Sequence, residues 1–224
     1  MGIDIYPIPL GPDRCYIIKD KGIIMIDSGS PNKFRKFIKS INKISIKPEH
    51  IKLIVLTHGH WDHIGSAKEI KEITGAKVAM HKLEKECLEK SLKPIPPAVS
   101  RWGHIFTKIM ARFIFLVNIP STDVDIILEN EDFSLFDFGI PGKVIHTPGH
   151  SSGSVSLLLE TGDAFVGDLA MNGFPLRLGP GLPIFAEDLQ KVKESWSLLL
   201  DKGAKMVYPA HGNPFSAKII QKLL

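Results

Sequence analysis

Three histidines and one aspartate stand within six consecutive positions of this chain. They are His58, His60, Asp62 and His63 in the sequence THGHWDH. Neutral imidazole and carboxylate are natural ligands of zinc and related divalent ions. Alternate residues of an extended turn project to the same side, so His58 and His60 can share one metal ion. Asp62 and His63 are then free to face a second ion, and the cluster predicts a metal site.

The elements on either side of this cluster predict how it is held. Residues 51–56 read IKLIVL, a pattern typical of a buried strand, and residues 64–67 begin a helix. The polar cluster therefore lies on the turn between a strand and a helix. Ligands on such a turn converge from a rigid base.

Three further ligand-type residues follow short apolar runs later in the chain. His150 stands in TPGHSSG, Asp168 in VGD and His211 in PAHG. Each lies just past a predicted strand, where ligands collect in α/β folds. Isolated histidines are usually ordinary polar loop residues, but this recurrence favours a shared site.

With these motifs, the chain resembles the metallo-β-lactamase superfamily, in its glyoxalase II-like and lactonase-like branch. The H-x-H-x-D-H signature corresponds to residues 58–63, and Ile26-Asp27-Ser28-Gly29 is similar to the early IDxG element. The resemblance covers residues 27–211 and implies an α/β (α+β) fold, the four-layer αββα sandwich. It also implies two metal ions, one held by His58, His60 and His150, the other by Asp62, His63 and His211, with Asp168 as the bridge.

The chemistry implied by the resemblance is hydrolysis at a pair of zinc ions, with iron or manganese as alternative metals. Two ions about 3.5–4 Å apart would hold a water and lower its pKa from about 15.7 toward about 7. The bridging hydroxide is then the nucleophile, and Asp62 orients it and accepts its proton. The expected substrate is a small ester-like molecule: a thioester, a lactone or a phosphoester.

Two other functions remain open on the sequence. A mononuclear iron oxygenase of the persulfide-dioxygenase type would use His58, His150 and Asp168 as a two-histidine, one-carboxylate triad. It would not require Asp62 or His63, whose presence favours two metals. A non-catalytic metal-binding interaction module would tolerate a missing ligand, and all seven metal positions are occupied here.

Two residues are candidates for supporting roles. Asp27 follows a predicted strand and can orient a ligand histidine through its free ring nitrogen, while the alternative is a turn-forming aspartate. Arg177 is the only charged residue of the Gly- and Pro-rich segment 171–185, which we expect at the rim of the site. Its guanidinium could bind an anionic group of the substrate.

Length and composition predict a single domain over residues 1–224. The chain has only two cysteines, which favours reduced thiols, and no export signal is visible, so we expect a cytoplasmic protein. The formal net charge is +4, with many lysines in residues 33–52. Apolar residues recur at helical spacing among them, which indicates an amphipathic helix and makes nucleic acid an improbable partner. A small-molecule substrate and a homodimer are the partners to consider.

The segment 92–120 is the variable part of the chain. Large apolar residues recur in it at helical spacing, but charged residues interrupt them. A transmembrane helix needs about 20 apolar residues, so no membrane span is predicted. Three interpretations remain: an apolar insert that forms a lid over the metals, a dimer or membrane-surface patch, or core packing.

Overall fold

The structure is a computed structural model that describes residues 2–224. Its first half forms a six-stranded sheet in which the strands follow chain order from one edge to the other. The strands are β1 (Asp4–Pro9), β2 (Arg14–Lys19), β3 (Ile23–Ile26), β4 (Ile51–Val55), β5 (Lys77–His81) and β6 (Ile126–Leu128). Strand β2 pairs antiparallel with both β1 and β3. Strands β3 to β6 run parallel to one another, because helical crossovers join each of them to the next.

The second half forms another six-stranded sheet, whose strands also follow chain order from one edge to the other. Its strands are β7 (Phe133–Ser134), β8 (Gly142–His146), β9 (Val155–Leu159), β10 (Asp163–Asn172), β11 (Met206–Gly212) and β12 (Phe215–Ser216). Strands β10 and β11 are parallel, and their register shifts twice along β10, between Phe165 and Gly167 and between Gly167 and Met171. The second irregularity spans Asp168, and such irregularities re-aim the side chains near them.

Seven α-helices complete the described residues. They are α1 (Phe34–Lys43), α2 (Trp61–Ile64), α3 (Ala67–Thr74), α4 (Lys85–Glu89), α5 (Arg101–Phe113), α6 (Leu189–Asp201) and α7 (Lys218–Gln221). The predicted basic amphipathic helix is α1, with Phe37 and Ile41 buried. Helix α3 ends at Gly75, which adopts the left-handed φ of 65° that glycine tolerates. The Asp188 carboxylate caps α6 by accepting from the backbone N–H groups of Gln190 and Lys191.

Three layers of apolar side chains hold these elements together. The central layer lies between the two sheets and includes Ile24, Leu53 and Phe165. A second layer packs α1 and α3 on the outer face of the first sheet, and a third packs α6 and α7 on the second sheet, around Trp196. The order is therefore helix, sheet, sheet, helix, and the predicted αββα sandwich is confirmed.

The segment 92–120 contains one regular helix, α5, and a short 3-10 turn at Ile114–Leu116. Within α5 only Gly103 is buried. The helix therefore contributes little to the three core layers, and most of its apolar side chains remain at the surface. Among residues 2–224, no helix is both long enough and apolar enough to cross a membrane.

Candidate metal centre

The seven ligand-type side chains meet at one edge of the sandwich, contributed by both sheets. His58 and His60 follow β4, while Asp62 and His63 lie in α2. The other three come from the second sheet: His150 follows β8, Asp168 lies in β10 and His211 lies in β11. Strands β10 and β11 thus continue beyond Asp168 and His211, whereas the sequence predicts that the two strands end just before these residues.

The side chains form three groups whose ligand atoms lie within 4.8 Å of one another. The groups are His58, His60 and His150; His58, His63 and Asp168; and Asp62, His63 and His211. The first and third have the composition that the resemblance implies for its two metal sites. None of the three groups contains all of His58, His150 and Asp168, the triad of the iron alternative.

Asp168 lies between the first and third groups. Its Oδ1 is 3.4 Å from Nε2 of His63 and 3.3 Å from Nε2 of His211. Its Oδ2 is 3.7 Å from Nε2 of His150. One carboxylate therefore directs one oxygen at each group, an orientation that suits a bridging ligand.

Several polar atoms at this point are buried without a hydrogen-bond partner among residues 2–224. They are Nε2 of His58, Nε2 of His63 and Oδ1 of Asp168. An unsatisfied buried polar atom costs about 1–3 kcal/mol. A divalent cation would satisfy all three, so the donor set fits metal ions.

The opposite ring nitrogens of three histidines are held by the protein. Nδ1 of His63 is 2.9 Å from Oδ2 of Asp27, and Nδ1 of His150 is 2.9 Å from the backbone carbonyl oxygen of Phe185. Nδ1 of His58 is 3.1 Å from Oγ1 of Thr57. Hydrogen bonds of this kind fix the ring orientation and leave Nε2 directed into the centre.

Asp27 connects two parts of the site. Besides His63, its carboxylate accepts from the backbone N–H of Thr57 at 2.8 Å and from the Thr57 hydroxyl at 2.9 Å. It adopts a left-handed φ of 57°, which is unfavourable for a non-glycine residue by about 1–2 kcal/mol. The surrounding hydrogen bonds hold this conformation.

The protonation equilibria differ between the two sides of Asp168. Burial, with the neighbouring His150, lowers the pKa of His60 to about 3, and burial with His63 lowers the pKa of His58 well below its usual value. Burial alone would also lower the pKa of His63, but Asp27 and Asp168 raise it well above its usual value. The first group is therefore a set of neutral imidazoles, whereas carboxylates surround the second.

Glu84 is a residue that the sequence did not single out. Its Oε2 accepts from the backbone N–H of Gly59 at 2.9 Å, and its Oε1 accepts from the backbone N–H of Gly153 at 3.0 Å. The first glycine belongs to the loop of His58 and His60, and the second to the loop of His150. One buried carboxylate thus clamps two ligand-bearing loops. In the sequence it stands in a run of charged residues, a pattern typical of an exposed surface, so its burial was not predicted.

Two glycines permit the close approaches around the centre. A Cβ on Gly59 would lie 2.7 Å from Oε2 of Glu84, and a Cβ on Gly167 would lie 2.6 Å from Oγ1 of Thr57. Gly167 also has a φ of 51°, in the left-handed region. A side chain at either position would displace the hydrogen bonds that orient the ligands.

Asp13 is a second residue that the sequence did not indicate. It is buried, and its carboxylate lies 3.5 Å from the Ser30 hydroxyl and 3.7 Å from the Cys15 thiol. Burial, assisted by the negative charge of Asp62, raises the pKa of Asp13 to about 7. The position lies ahead of a strand, where an aspartate normally indicates only a turn.

A cavity of about 770 Å³ opens above the centre. His60, Asp62, Asp168 and His211 form its floor. Its walls are mostly apolar and come from α5, from the end of β10 and from the segment after it: Phe106, Ile109, Met110, Phe113, Met171, Phe174, Pro175, Leu176 and Phe185. Arg14 is the only lysine or arginine in the lining, and it forms no ion pair within the part of the chain described.

Arg177 lies outside the lining of this cavity. Its Nη1 donates to the backbone carbonyl of Leu182 at 3.1 Å, which ties the ends of its own loop together.

Of the histidines without a ligand motif, His81 and His146 stack on each other with ring centroids 4.3 Å apart. They belong to none of the three groups.

Comparison with known proteins agrees with this arrangement. The family profile described as "Metallo-beta-lactamase superfamily" matches residues 9–211. The chain is 29% identical over 192 residues to the "Beta-lactamase-like protein 2 homolog" of Drosophila melanogaster, covering 85% of this chain but only 54% of the fly protein. It is 28% identical over 176 residues to "Hydroxyacylglutathione hydrolase GloC" of Haemophilus influenzae, covering 77% and 74%.

Solved structures show the same fold. The BLEG-1 B3 metallo-beta-lactamase superposes with a TM-score of 0.73 at 22% identity, covering 96% of this chain and 95% of that one. At this identity the likeness concerns the fold alone. The chain spans about half the length of the fly relative, so the activity of that whole protein does not transfer.

Proposed function

This chain belongs to the metallo-beta-lactamase superfamily, and from that premise we propose that it is a hydrolase that uses two zinc ions to cleave a small ester-like substrate. The observation that carries the proposal is the position of Asp168. Its two oxygens face two separate groups of ligand-type residues, at 3.3–3.4 Å on one side and 3.7 Å on the other. A mononuclear site needs no such carboxylate between two groups.

In this proposal His58, His60 and His150 would hold one ion, Asp62, His63 and His211 would hold the other, and Asp168 would be shared. When bound, two such ions supply Lewis acidity to the substrate oxygen and make water acidic enough, with a pKa of about 7, to serve as the nucleophile. Asp27, Thr57 and the Phe185 carbonyl keep the imidazole rings turned toward the ions.

Asp62 is the proposed proton acceptor. It lies on the cavity floor, where a substrate must enter, and its Oδ2 is 3.5 Å from Nε2 of His211. Its carboxylate thus lies both beside a ligand histidine and on the side that a substrate reaches. Replacing Asp62 with alanine should abolish hydrolysis; retained activity would contradict the two-metal mechanism.

The cavity walls support a substrate with an apolar portion and an anionic portion. Phe106, Met110 and Phe185 would exclude water from the apolar part. Arg14 is placed to pair with a carboxylate or phosphate, since no protein carboxylate neutralises it. Because one relative is named as a hydrolase of hydroxyacylglutathione, acyl thioesters are the first substrates to try.

The deciding experiment combines metal content with activity. The protein is purified without added metal, its elements are quantified, and hydrolysis of an acyl thioester, a lactone and a phosphodiester is measured before and after chelation. The proposal expects about two zinc ions per chain and hydrolysis that zinc restores. One iron per chain with persulfide-dependent oxygen uptake would establish the oxygenase instead. Bound metal without any turnover would indicate the interaction module.

A further inference from the structure

Helix α5 presents a stripe of large apolar side chains to solvent. Trp102, Ile105, Ile109 and Phe113 recur at intervals that place them on one side of the helix. Ile105 is 51% exposed and Phe113 58% exposed. The stripe continues into the following turn through Phe115 and Leu116, which are more exposed still.

A second apolar surface adjoins this stripe. Phe174 and Leu178, in the loop after β10, are 84% and 91% exposed. The indole N–H of Trp102 donates to the backbone carbonyl of Pro175 at 2.8 Å, which joins the loop to α5. We call the combined surface the rim patch; it consists of Trp102, Ile105, Ile109, Phe113, Phe115, Leu116, Phe174 and Leu178. Contiguous exposed apolar surface of this kind marks an interaction site.

Cations border the rim patch. Arg101, Lys108 and Arg112 are exposed and lie on one side of α5, because seven and eleven residues are close to two and three helical turns. None of them forms an ion pair among residues 2–224. Residues 91–122 contain no aspartate or glutamate. The α5 side of the patch therefore combines apolar side chains with unpaired cations, and its own segment supplies no carboxylate.

The cavity above the metal centre opens at the same place. Ile109, Phe113 and Phe174 line the cavity and also belong to the rim patch. An apolar molecule lying on the patch would thus be in contact with the entrance. The patch and the cavity form one continuous apolar path from the surface to the ligand side chains.

We propose that the rim patch docks onto an anionic lipid surface. Helices with an apolar face of Trp, Phe and Ile beside Lys and Arg lie in the membrane interface, with the apolar side chains in the acyl boundary and the cations at the phosphates. A symmetric dimer through the same face would gather six cations at one interface, with no aspartate or glutamate from residues 91–122 of either copy to neutralise them, which is unfavourable. The inference does not depend on the metals.

The test is co-sedimentation of the full chain with vesicles. One set is phosphatidylcholine, and the other is an equimolar mixture of phosphatidylcholine and phosphatidylglycerol. The protein should bind the anionic vesicles, and binding should weaken as salt is raised. Because each cation near such a surface contributes about 1 kcal/mol, replacing Arg101, Lys108 and Arg112 together with glutamine should reduce partitioning by on the order of a hundredfold.

Matched controls separate this surface from general basicity. Lys39 and Lys43 of α1 and Lys47 just after it are also exposed, and their replacement with glutamine should change partitioning by less than a few-fold. For the apolar part, Ile105→Asp and Leu178→Asp should each release the protein. Phe136→Asp changes an equally exposed apolar residue, 60% exposed, outside the rim patch, and should have no effect.

Three results would overturn the proposal. The first is no binding of the wild-type chain to anionic vesicles. The second is an equal loss in the α1 and α5 variants, which would mean that charge alone attracts the protein. The third is a dimer, seen by light scattering, that Ile105→Asp dissociates while vesicle binding is absent; that result would assign the patch to a second copy of the chain.

Discussion

The floor and the rim of the same cavity are built in opposite ways. On the floor, His58, His63 and His150 are buried to within about one percent of their surface, and each has its second ring nitrogen held by a neighbour. On the rim, Phe174 and Leu178 are almost fully exposed. The floor is fixed by packing and hydrogen bonds from two sheets, whereas the rim rests on one helix and one loop.

The floor therefore determines the chemistry of the site, and the rim determines which substrate or surface it binds. A buried polar network tolerates little change, because each lost partner leaves a desolvated group unsatisfied. Exposed apolar residues have few contacts to lose, so the rim can vary without disturbing the chemistry. Changes on the floor should therefore alter metal binding, and changes on the rim should alter only substrate or surface binding.

The largest effect is expected at the residue between the two ligand groups. Asp168→Asn removes the shared charge, and the several kcal/mol that bound metals contribute correspond to a loss of hydrolysis on the order of a thousandfold. Metal content by elemental analysis should fall with it. Asp163→Asn, on the same strand but outside the site, is the control and should retain both. An Asp168→Asn protein with full metal content and activity would break the bridging assignment.

A smaller effect is expected at Asp27, which lies outside the ligand groups but contacts the ring of His63. Asparagine tolerates the left-handed backbone, so Asp27→Asn tests the carboxylate rather than the turn. The hydrogen bond to Nδ1 of His63 is weakened, and metal affinity should fall on the order of a hundredfold. Competition with a chromophoric chelator measures it. Unchanged affinity would show that Asp27 serves only its own turn.

Glu84 should have a still smaller influence, because it acts through the backbone of two loops. Glu84→Gln keeps one acceptor oxygen but sets an amide N–H against a backbone N–H, so metal affinity should fall about tenfold. Glu86→Gln is the control, since Glu86 lies only two residues further on, in α4, and pairs only with Lys90 at the surface. If both variants bind metal equally well, the two loops are positioned without the clamp.

The smallest effect on the metals is expected on the rim. Ile109→Ala should raise the KM for an apolar acyl substrate by about tenfold, as loss of a few buried carbons does, with metal content unchanged. Ile73→Ala, on α3 and similarly exposed, should leave the KM as it is. If the Ile109→Ala protein lost metal, the proposal that the floor alone determines metal binding would be wrong.

Much of the fold followed from local patterns. The continuous apolar run of residues 51–56 predicted β4, and the polar residues after it marked the first ligand loop. The helical spacing of Phe37 and Ile41 predicted α1 correctly. Strand ends were less accurate: β10 continues to Asn172, because pairing with β11 extends it into the start of the Gly- and Pro-rich segment 171–185.

The sequence by itself determined which residues could bind metal, because the types of the ligand side chains and their close spacing can be read directly from it. Through periodicity it also indicated the strand and helix on either side of the first ligand loop, and the basic helix α1. Only the tertiary structure gave the distances from Asp168 to the two groups, and only it decided that Glu84 joins two loops and that α5 leaves its apolar side chains exposed. These depend on distances between residues far apart in the chain, and burial of a charged or apolar side chain is a property of its neighbours in space.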